Sequence, residues 1–448
     1  MLAAILSFTN WLWGLPMLIL LVGGGLVFTV LLGGFQFLKL PYILKNTIGK
    51  AFSDKSASGK ISGYQALTTA LATTLGTGNI VGVALAIAYG GPGAVFWMWL
   101  VGLVASIIKY SEVTIAMKYR EKNEKGEWVG GPMTYLSKGT GIKWLGALFA
   151  LVAIPQLAVA SSVQASSLGD TMAALGVPKL ACTLFIVAIV VVVVYGGVTR
   201  IVQVTEKMIP FMSILYMAGG IAIIIINASS LPGVFASIFA GAFTGTAATG
   251  GFGGASLAMA VRWGVSRGIY SNDSGNGLTS IAHCNAEVKH PVQQGMWGVF
   301  EVFFDTLIVC TVTALTVLCS GVWKTMSADQ GGSIAVTAFK QNLGAVGSII
   351  VSVSLFLFVL STVIVFVYYG EKMADALWGQ LGAKITRLAY CAMLFIGSVV
   401  SLGVLIQLLD FGNAMIIIIN MFGLCIMFKD VRALTKEYFS SVANKTAD

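Results

Sequence analysis

The sequence predicts an all-α membrane protein with eleven transmembrane helices, in which one extra N-terminal helix precedes an inverted repeat of five plus five helices. Three observations support this prediction. Of the 448 residues, 57% are hydrophobic and only 10% are charged, whereas soluble domains average about 25% charged residues. Lysines and arginines concentrate in alternate loops, and two glycine-rich clusters interrupt apolar spans. This composition excludes a soluble domain with its own core.

Eleven segments are long and apolar enough to cross a bilayer, which takes about 20 residues per helix. The predicted spans are 11–38, 64–89, 94–119, 144–172, 178–198, 203–227, 232–264, 294–321, 344–369, 387–408 and 411–428. We expect a single transmembrane transporter domain over 1–448. Its parts are the extra helix and a cytoplasmic loop (1–63), a first repeat (64–230), an inverted second repeat (231–430) and a cytoplasmic tail (431–448).

The distribution of basic residues predicts the orientation. All but three of the 27 lysines and arginines fall on one side of the predicted spans, the exceptions being Lys179, Lys324 and Lys340. By the positive-inside rule, the N-terminus is outside and the C-terminus is cytoplasmic in a multi-pass protein of the inner (plasma) membrane. The same rule explains the net charge of +9 better than nucleic-acid binding does, so no nucleic-acid partner is expected.

The first helix of each predicted repeat carries a glycine-rich interruption. Residues 75–79 (LGTGN) interrupt span 2, and residues 244–251 (TGTAATGG) interrupt span 7. Span 2 begins inside and span 7 outside, which is the opposite topology expected of an inverted-repeat transporter. Glycine permits unwinding, although close helix packing is the alternative.

A half-helix beginning near Thr77 directs free N–H groups at an anion, and carbonyls freed at the breaks suit a cation. Both needs are met by a zwitterion.

Several motifs resemble the alanine or glycine:cation symporter (sodium:alanine symporter) family. They are GTGNIVGVA at 76–84, GGPGAVFWMW at 90–99, GGPM at 130–133, RWGV at 262–265, GIYSNDSG at 268–275, EVF at 301–303 and Ser361-Thr362. The resemblance implies the LeuT-type fold and uptake of alanine, glycine or a similar amino acid with sodium. Two departures are Asp273-Ser274, where the family usually has Glu-Ala, and Phe366, where tryptophan is common.

The resemblance also implies a site. The substrate residues it suggests are Thr77, Gly78 and Asn79 at the half-helix start, with Gln164, Phe243, Thr246 and Phe366 around them. For sodium it suggests the hydroxyls of Ser361 and Thr362 with the carbonyls of Ala72 and Leu75, oxygen ligands that suit a hard cation. No other cofactor is expected. The alternative roles are a hydrogen bond to another helix for Gln164 and lipid contact for Phe366.

Ionisable residues inside predicted spans are costly and are usually paired or functional. For Glu112, Glu301 and Asp305 we expect buried pairing or gating, with proton coupling through Asp305 as the alternative. Asp273 and the two histidines are expected in a cytoplasmic loop. No paired aspartates, Ser/His dyad or HExxH motif lies on plausible spans, so an enzyme is not expected. The alternative function is a LeuT-type carrier for another small solute, such as glutamine or serine.

Overall fold

The computed structural model describes residues 2–51, 60–123, 126, 128–173, 176–244, 257–326 and 331–447. These residues are nearly all helical, and one short antiparallel pair, β1 (Glu121–Lys122) with β2 (Trp128–Val129), closes a loop. The helices are α1 (Leu2–Leu12), α2 (Leu15–Leu31), α3 (Phe35–Leu38), α4 (Leu40–Asn46), α5 (Gly63–Thr74), α6 (Gly78–Gly90), α7 (Gly93–Tyr119), α8 (Pro132–Gly139), α9 (Leu145–Ala173), α10 (Lys179–Val194), α11 (Gly197–Ile226), α12 (Leu231–Phe243), α13 (Leu257–Asn272), α14 (Ser280–His283), α15 (Pro291–Ser320), α16 (Gly331–Val399) and α17 (Leu402–Ala447).

Six of the described helices are long and apolar enough to cross a membrane, or seven if the bent pair of α5 and α6 counts as one span. Predicted spans 2, 3, 4, 5 and 8 coincide with a helix, or with the bent pair of α5 and α6, to within about four residues at each end. Span 1 was predicted to reach residue 38, but α2 ends at residue 31. Two glycines with positive φ, Gly33 and Gly34, turn the chain there, because glycine adopts this conformation at little cost.

The predicted break in span 2 is confirmed. Helix α5 begins with a capping box in which Ser62 Oγ accepts from the Gln65 N–H, and Gln65 Oε1 accepts from the Ser62 N–H. The helix ends at Thr74, where Leu75 leaves helical geometry with ψ 83°. Helix α6 then departs at an angle of 52° to α5. The glycine-rich run therefore bends this span in the protein interior.

A second interruption lies at 273–279, between α13 and α14. The break predicted at 244–251, in a span expected at 232–264, lies outside the described residues except for Thr244. Within the interruption at 273–279, Asp273, Gly275 and Gly277 all have positive φ. This segment, called here the second break, is buried and was expected in a cytoplasmic loop.

Small residues bring α13 close to α7. A Cβ on Gly264 would lie 2.3 Å from the Ala94 carbonyl oxygen, and a Cβ on Gly268 would lie 2.7 Å from Val101 Cγ1. Spaced four residues apart, these glycines form the small-residue stripe that allows close helix approach in membranes. Their packing fixes the position of the second break, which begins one turn beyond Gly268.

The boundary predicted between spans 10 and 11 is wrong. Helix α16 contains non-helical residues at Gly344 and Gly379, so it consists of segments 331–343, 345–378 and 380–399. Span 10 was expected to end at residue 408, but the chain turns at 400–401 and α17 begins at Leu402. Apolar residues continue across this turn, so hydropathy alone does not mark it.

Candidate functional site

A small cavity lies between the two breaks. It is lined by residues of the first break, the second break and helices α9, α13 and α16, namely Thr73, Thr74, Gly76, Gly78, Gln156, Leu157, Ala160, Gln164, Tyr270, Asp273, Leu278 and Phe366. Three of the residues suggested from the sequence, Gly78, Gln164 and Phe366, thus come together at one site. Chain segments almost 300 residues apart form its walls.

Two side-chain amides hold the start of α6. The Thr77 N–H donates to Gln164 Oε1 at 3.1 Å, and the Gly76 N–H donates to Asn79 Oδ1 at 3.0 Å. These are backbone donors of the kind left without partners at a helix start. Gly76 leaves room for the arrangement, because a Cβ there would lie 2.9 Å from Thr362 Oγ1 and 3.0 Å from Gln164 Nε2.

The Asn79 side chain points into a buried hydrogen-bonded group behind α6. Its Nδ2 donates to Asp305 Oδ1 at 2.6 Å and to Ser271 Oγ at 3.0 Å, while Ser271 Oγ donates to Asp305 Oδ2 at 2.7 Å. Asp305 lies in a π-helical stretch, Phe303–Val309, a feature often found at functional sites. This group ties α6 to α13 and α15, and it satisfies the Asp305 carboxylate within the protein.

The two hydroxyls suggested as sodium ligands have different surroundings. Thr362 Oγ1 lies 2.9 Å from the Ala72 carbonyl oxygen, across the gap between α16 and α5, and 2.8 Å from the Phe358 carbonyl oxygen. Ser361 Oγ donates to the same Phe358 carbonyl oxygen at 2.9 Å and lies 3.8 Å from Met212 Sδ in α11. Leu75 is fully buried in the first break. The structure therefore joins Thr362 to the first break, whereas the Ser361 hydroxyl contacts its own helix and α11.

Asp273 was not singled out as a site residue, yet its carboxylate lines the cavity. Its Oδ1 accepts from Asn276 Nδ2 at 2.7 Å. Its Oδ2 is buried and has no hydrogen-bond partner among the described residues. A buried carboxylate oxygen without a partner is costly, so the oxygen is available to a donor that enters the cavity. The Ser-Asn-Asp-Ser-Gly-Asn-Gly run is typical of turns, which was the signal for the second break.

The other suggested substrate residues described by the structure are not in the cavity lining, although Thr77 and Asn79 adjoin its lining residue Gly78 in the chain. Phe243 is 60% exposed at the end of α12, and its ring centroid lies 4.9 Å from that of Phe96. It therefore packs on the outer side of α7. Thr246 lies outside the described residues. Phe366, by contrast, is 5% exposed and lines the cavity.

The remaining ionisable residues are buried. Glu301 Oε2 lies 2.9 Å from His283 Nε2, and Gln294 Nε2 lies 2.7 Å from His283 Nδ1. His283 is fully buried in α14, so its expected place in a cytoplasmic loop is wrong. Glu112 Oε1 accepts from Asn420 Nδ2 at 2.7 Å. Glu112 and Glu301 therefore have buried partners, as expected for carboxylates inside predicted spans.

The chain is similar in sequence to known transporters and similar in fold to one solved transporter structure. The chain is 44% identical over 435 residues to the uncharacterized transporter YflA of Bacillus subtilis (strain 168), covering 97% of this chain and 92% of that protein. It is 37% identical over 437 residues to the sodium/alanine symporter AgcS of Methanococcus maripaludis, covering 96% and 95%. The fold is similar to that of a manganese transporter from Eremococcus coleocola, with a TM-score of 0.55 at 11% identity over 79% of this chain and 75% of that one.

The match to the family extends over the whole sequence. The description of that family is the sodium:alanine symporter family, and residues 1–448 are matched. Its members are transporters and not enzymes, which agrees with the apolar helices described above. The chain therefore belongs to the sodium:alanine symporter family.

Proposed function

We propose that this protein is a sodium-coupled symporter that carries a small neutral amino acid, alanine or glycine, into the cell by alternating access. The observation that carries the proposal is the pair of polar groups at the two breaks. Thr77 offers a backbone N–H at the start of a half-helix, and Asp273 offers a carboxylate oxygen without a partner in the described part of the chain. A zwitterion has a carboxylate for the Thr77 N–H and an ammonium for the Asp273 carboxylate.

The substrate carboxylate would bind at the first break. Helix N-termini favour anions through their free N–H groups and the helix dipole. In the structure the Thr77 N–H donates to the Gln164 amide oxygen. A carboxylate oxygen is a stronger acceptor than an amide oxygen. Binding would therefore displace Gln164 Oε1 and turn its amide toward the substrate.

The substrate ammonium would bind at the second break, beside Asp273 Oδ2. The side chain would then point toward the apolar part of the lining, which includes Leu157, Ala160 and Phe366. Such a wall accepts a methyl group or a hydrogen atom and offers no hydrogen-bond partner to a long polar side chain. Alanine or glycine therefore fits better than glutamine, which remains the alternative together with serine.

Sodium would bind between α16 and the first break. Thr362 Oγ1 and the Ala72 carbonyl oxygen, 2.9 Å apart, are hard oxygen donors of the kind that such a cation prefers. With sodium present, both oxygens would turn to the ion. Leu75 and Ser361 are further candidate ligands from the same two segments. An ion here would stabilise the bent form of α5 and α6, and would so couple sodium binding to substrate binding.

The proposed architecture is the LeuT-type fold with eleven spans, the N-terminus outside and the C-terminus in the cytoplasm, in the plasma membrane. Two broken helices packed against each other support an inverted repeat. The first would be α5 with α6, in the repeat predicted over 64–230. The second would be α13 with α14, in the repeat predicted over 231–430. The helix preceding the repeats would be α2.

Uptake in proteoliposomes tests the proposal. Labelled alanine, glycine and glutamine would be offered with inward gradients of sodium, lithium, potassium or protons. We expect sodium-driven accumulation of alanine or glycine that increases with an inside-negative potential, since each charge gains about 2.3 kcal/mol per 100 mV. Accumulation driven by protons alone, or of none of these amino acids, would refute it.

A competitor without a carboxylate tests the assigned orientation. Alaninamide keeps the ammonium and the methyl group but lacks the anion that the start of α6 would recognise. We expect it to compete poorly with labelled alanine under the same sodium gradient. Equal competition by alaninamide and unlabelled alanine would contradict carboxylate binding at Thr77.

A further inference from the structure

The Lys109 side chain ties together the two ends of the second break. Its Nζ donates to the Asp273 carbonyl oxygen at 2.9 Å and to Thr279 Oγ1 at 2.6 Å. Lys109 lies in the middle of α7 and is fully buried. A lysine at such a depth is expensive and is expected to have a specific partner or function. Here the partners are the first and last residues of an unwound segment.

Two carboxylates complete the surroundings of this ammonium. Glu301 Oε1 lies 3.6 Å from Lys109 Nζ, and Glu112 Oε2 lies 4.0 Å from it. Neither carboxylate oxygen has a hydrogen-bond partner among the described residues. Lys109 Nζ is thus surrounded by one carbonyl, one hydroxyl and two carboxylates, all buried. We call these four oxygens the lysine cage. Without the ammonium, the same oxygens would make a ligand set for a hard metal cation.

The chain makes room for the lysine in this position. Helix α15 passes beside α7 with Gly298 at the point of contact, where a Cβ would lie 3.1 Å from Lys109 Cγ. Two other ionisable residues lie nearby: Asp273, and His283, whose Nε2 contacts the other carboxylate oxygen of Glu301. The only lysine or arginine that the described ion pairs bring to these carboxylates is Lys109.

The first break has no such bound ammonium among the described residues. Its oxygens, Thr362 Oγ1 and the Ala72 carbonyl, face each other, and no lysine or arginine bonds to either in the described ranges. The two breaks are therefore alike in offering oxygens to a cation, but only the second already holds one. A covalently attached cation stays in place through a transport cycle, whereas a free ion can enter and leave.

We propose that the Lys109 ammonium is a fixed cation of the second break, occupying the place of a coupling ion there, so that a single sodium ion accompanies each amino acid. This inference rests on the proposed function. It assigns to Lys109 a positioning role: the ammonium holds Asp273 at the cavity in every conformation that binds substrate. Removing the ammonium while keeping the four oxygens would create a second sodium site in the lysine cage.

The wild-type protein gives the first test. In proteoliposomes, the sodium gradient and membrane potential at which net alanine flux is zero report the number of ions per alanine. We expect one sodium ion and one charge. Two or more sodium ions per alanine would overturn the role of Lys109 while leaving sodium-coupled transport intact. Absence of any sodium-driven uptake would refute the proposed function, and this inference with it.

Substitutions at Lys109 give the second test. Lys109→Gln removes the cation from the cage and leaves its four oxygens, and Lys109→Arg is the matched control that keeps a cation. For each purified variant, size-exclusion chromatography would establish folding, and binding of labelled alanine would be measured against sodium concentration. We expect a Hill coefficient near one for wild type and Lys109→Arg, rising toward two in Lys109→Gln. A folded Lys109→Gln protein that binds alanine with an unchanged coefficient would overturn the proposal.

A double variant separates a new sodium site from a general disturbance. Lys109→Gln with Glu301→Gln removes the ammonium and one carboxylate together, which leaves fewer buried charges than Lys109→Gln alone. The weakened cage is expected to lose its affinity for sodium, and the Hill coefficient should return to near one. A coefficient that stays near two in the double variant would show that the second ion binds elsewhere, which contradicts the proposal.

Discussion

Thr362 Oγ1 lies 2.9 Å from the Ala72 carbonyl oxygen, and this contact joins α16 to the last turn of α5 just before the first break. Both hydroxyls contact the Phe358 carbonyl oxygen of their own helix, Thr362 Oγ1 at 2.8 Å and Ser361 Oγ at 2.9 Å, but Thr362 also reaches a carbonyl oxygen of α5. Back-bonding of this kind is common for serine in membrane helices. The two adjacent hydroxyls therefore differ in their relation to the proposed sodium site, and substitution can separate them.

Thr362→Val should weaken sodium activation more than Ser361→Ala does. Valine keeps the shape of threonine but replaces the hydroxyl with a methyl group, so the site loses one oxygen ligand. We expect the sodium concentration for half-maximal alanine uptake to rise about tenfold, which corresponds to about 1.4 kcal/mol. Ser361→Ala is the matched control. Equal effects of the two substitutions would contradict the assignment of Thr362 as the main hydroxyl ligand.

Gly76→Ala should abolish most transport without unfolding the protein. The added methyl group would lie 2.9 Å from Thr362 Oγ1 and 3.0 Å from Gln164 Nε2, so both side chains must move away from the first break. We expect alanine uptake to fall at least about tenfold, a barrier change of about 1.4 kcal/mol. Gly403→Ala, where a Cβ meets open space, is the control and should transport normally. Wild-type uptake by Gly76→Ala would show that this close approach is not needed.

The first break could be predicted from the sequence because glycines interrupt a long apolar run in span 2. The second break could not be placed by that signal, since its Ser-Asn-Asp-Ser-Gly-Asn-Gly run is polar and reads as a surface turn. In the structure, partners distant in sequence make burial tolerable: Lys109 bonds to Asp273 and Thr279, and Asn420 donates to the Gly275 carbonyl oxygen at 2.8 Å. Hydropathy reports the cost of burying a segment and not the partners that offset it.

Asp273→Asn should weaken alanine binding by removing the charge that faces the substrate ammonium. A hydrogen bond to a charged group contributes about 1.5–3 kcal/mol, so we expect at least about a tenfold loss in affinity. The asparagine side chain keeps an oxygen that can accept from Asn276, so the turn should persist. Competition against labelled alanine in the presence of sodium would measure the change.

Lactate separates a substrate contact from a structural role for Asp273. It resembles alanine but carries a hydroxyl group in place of the ammonium. If Asp273 binds the ammonium, Asp273→Asn should narrow the preference for alanine over lactate. If Asp273 only shapes the second break, the substitution should lower the affinity for alanine and for lactate in the same proportion. The assignment of Asp273 as the ammonium ligand would then be wrong.

Phe366 should set the upper size of the substrate side chain. It lies four residues beyond Thr362, about one helical turn along the same face of α16, and its ring lines the cavity. A rigid ring discriminates by steric exclusion, whereas filling the space of one methylene contributes only about 1–3 kcal/mol. Phe366→Ala should therefore admit methionine and leucine and should bind alanine more weakly than the wild type does. Phe366→Trp should shift the substrate preference toward glycine and alanine.

Competition profiles across amino acids of increasing size would measure both shifts. Replacing a buried phenylalanine with alanine destabilises a core by about 3–5 kcal/mol, so loss of folding must be separated from loss of selectivity. Phe356→Ala is a suitable control, because Phe356 lies on the same helix and stacks on Phe185 at 5.6 Å instead of lining the cavity. It should keep the wild-type order of competitors even if uptake declines. If both Phe366 variants also keep that order, the ring does not limit substrate size, and the selectivity must come from another wall of the cavity.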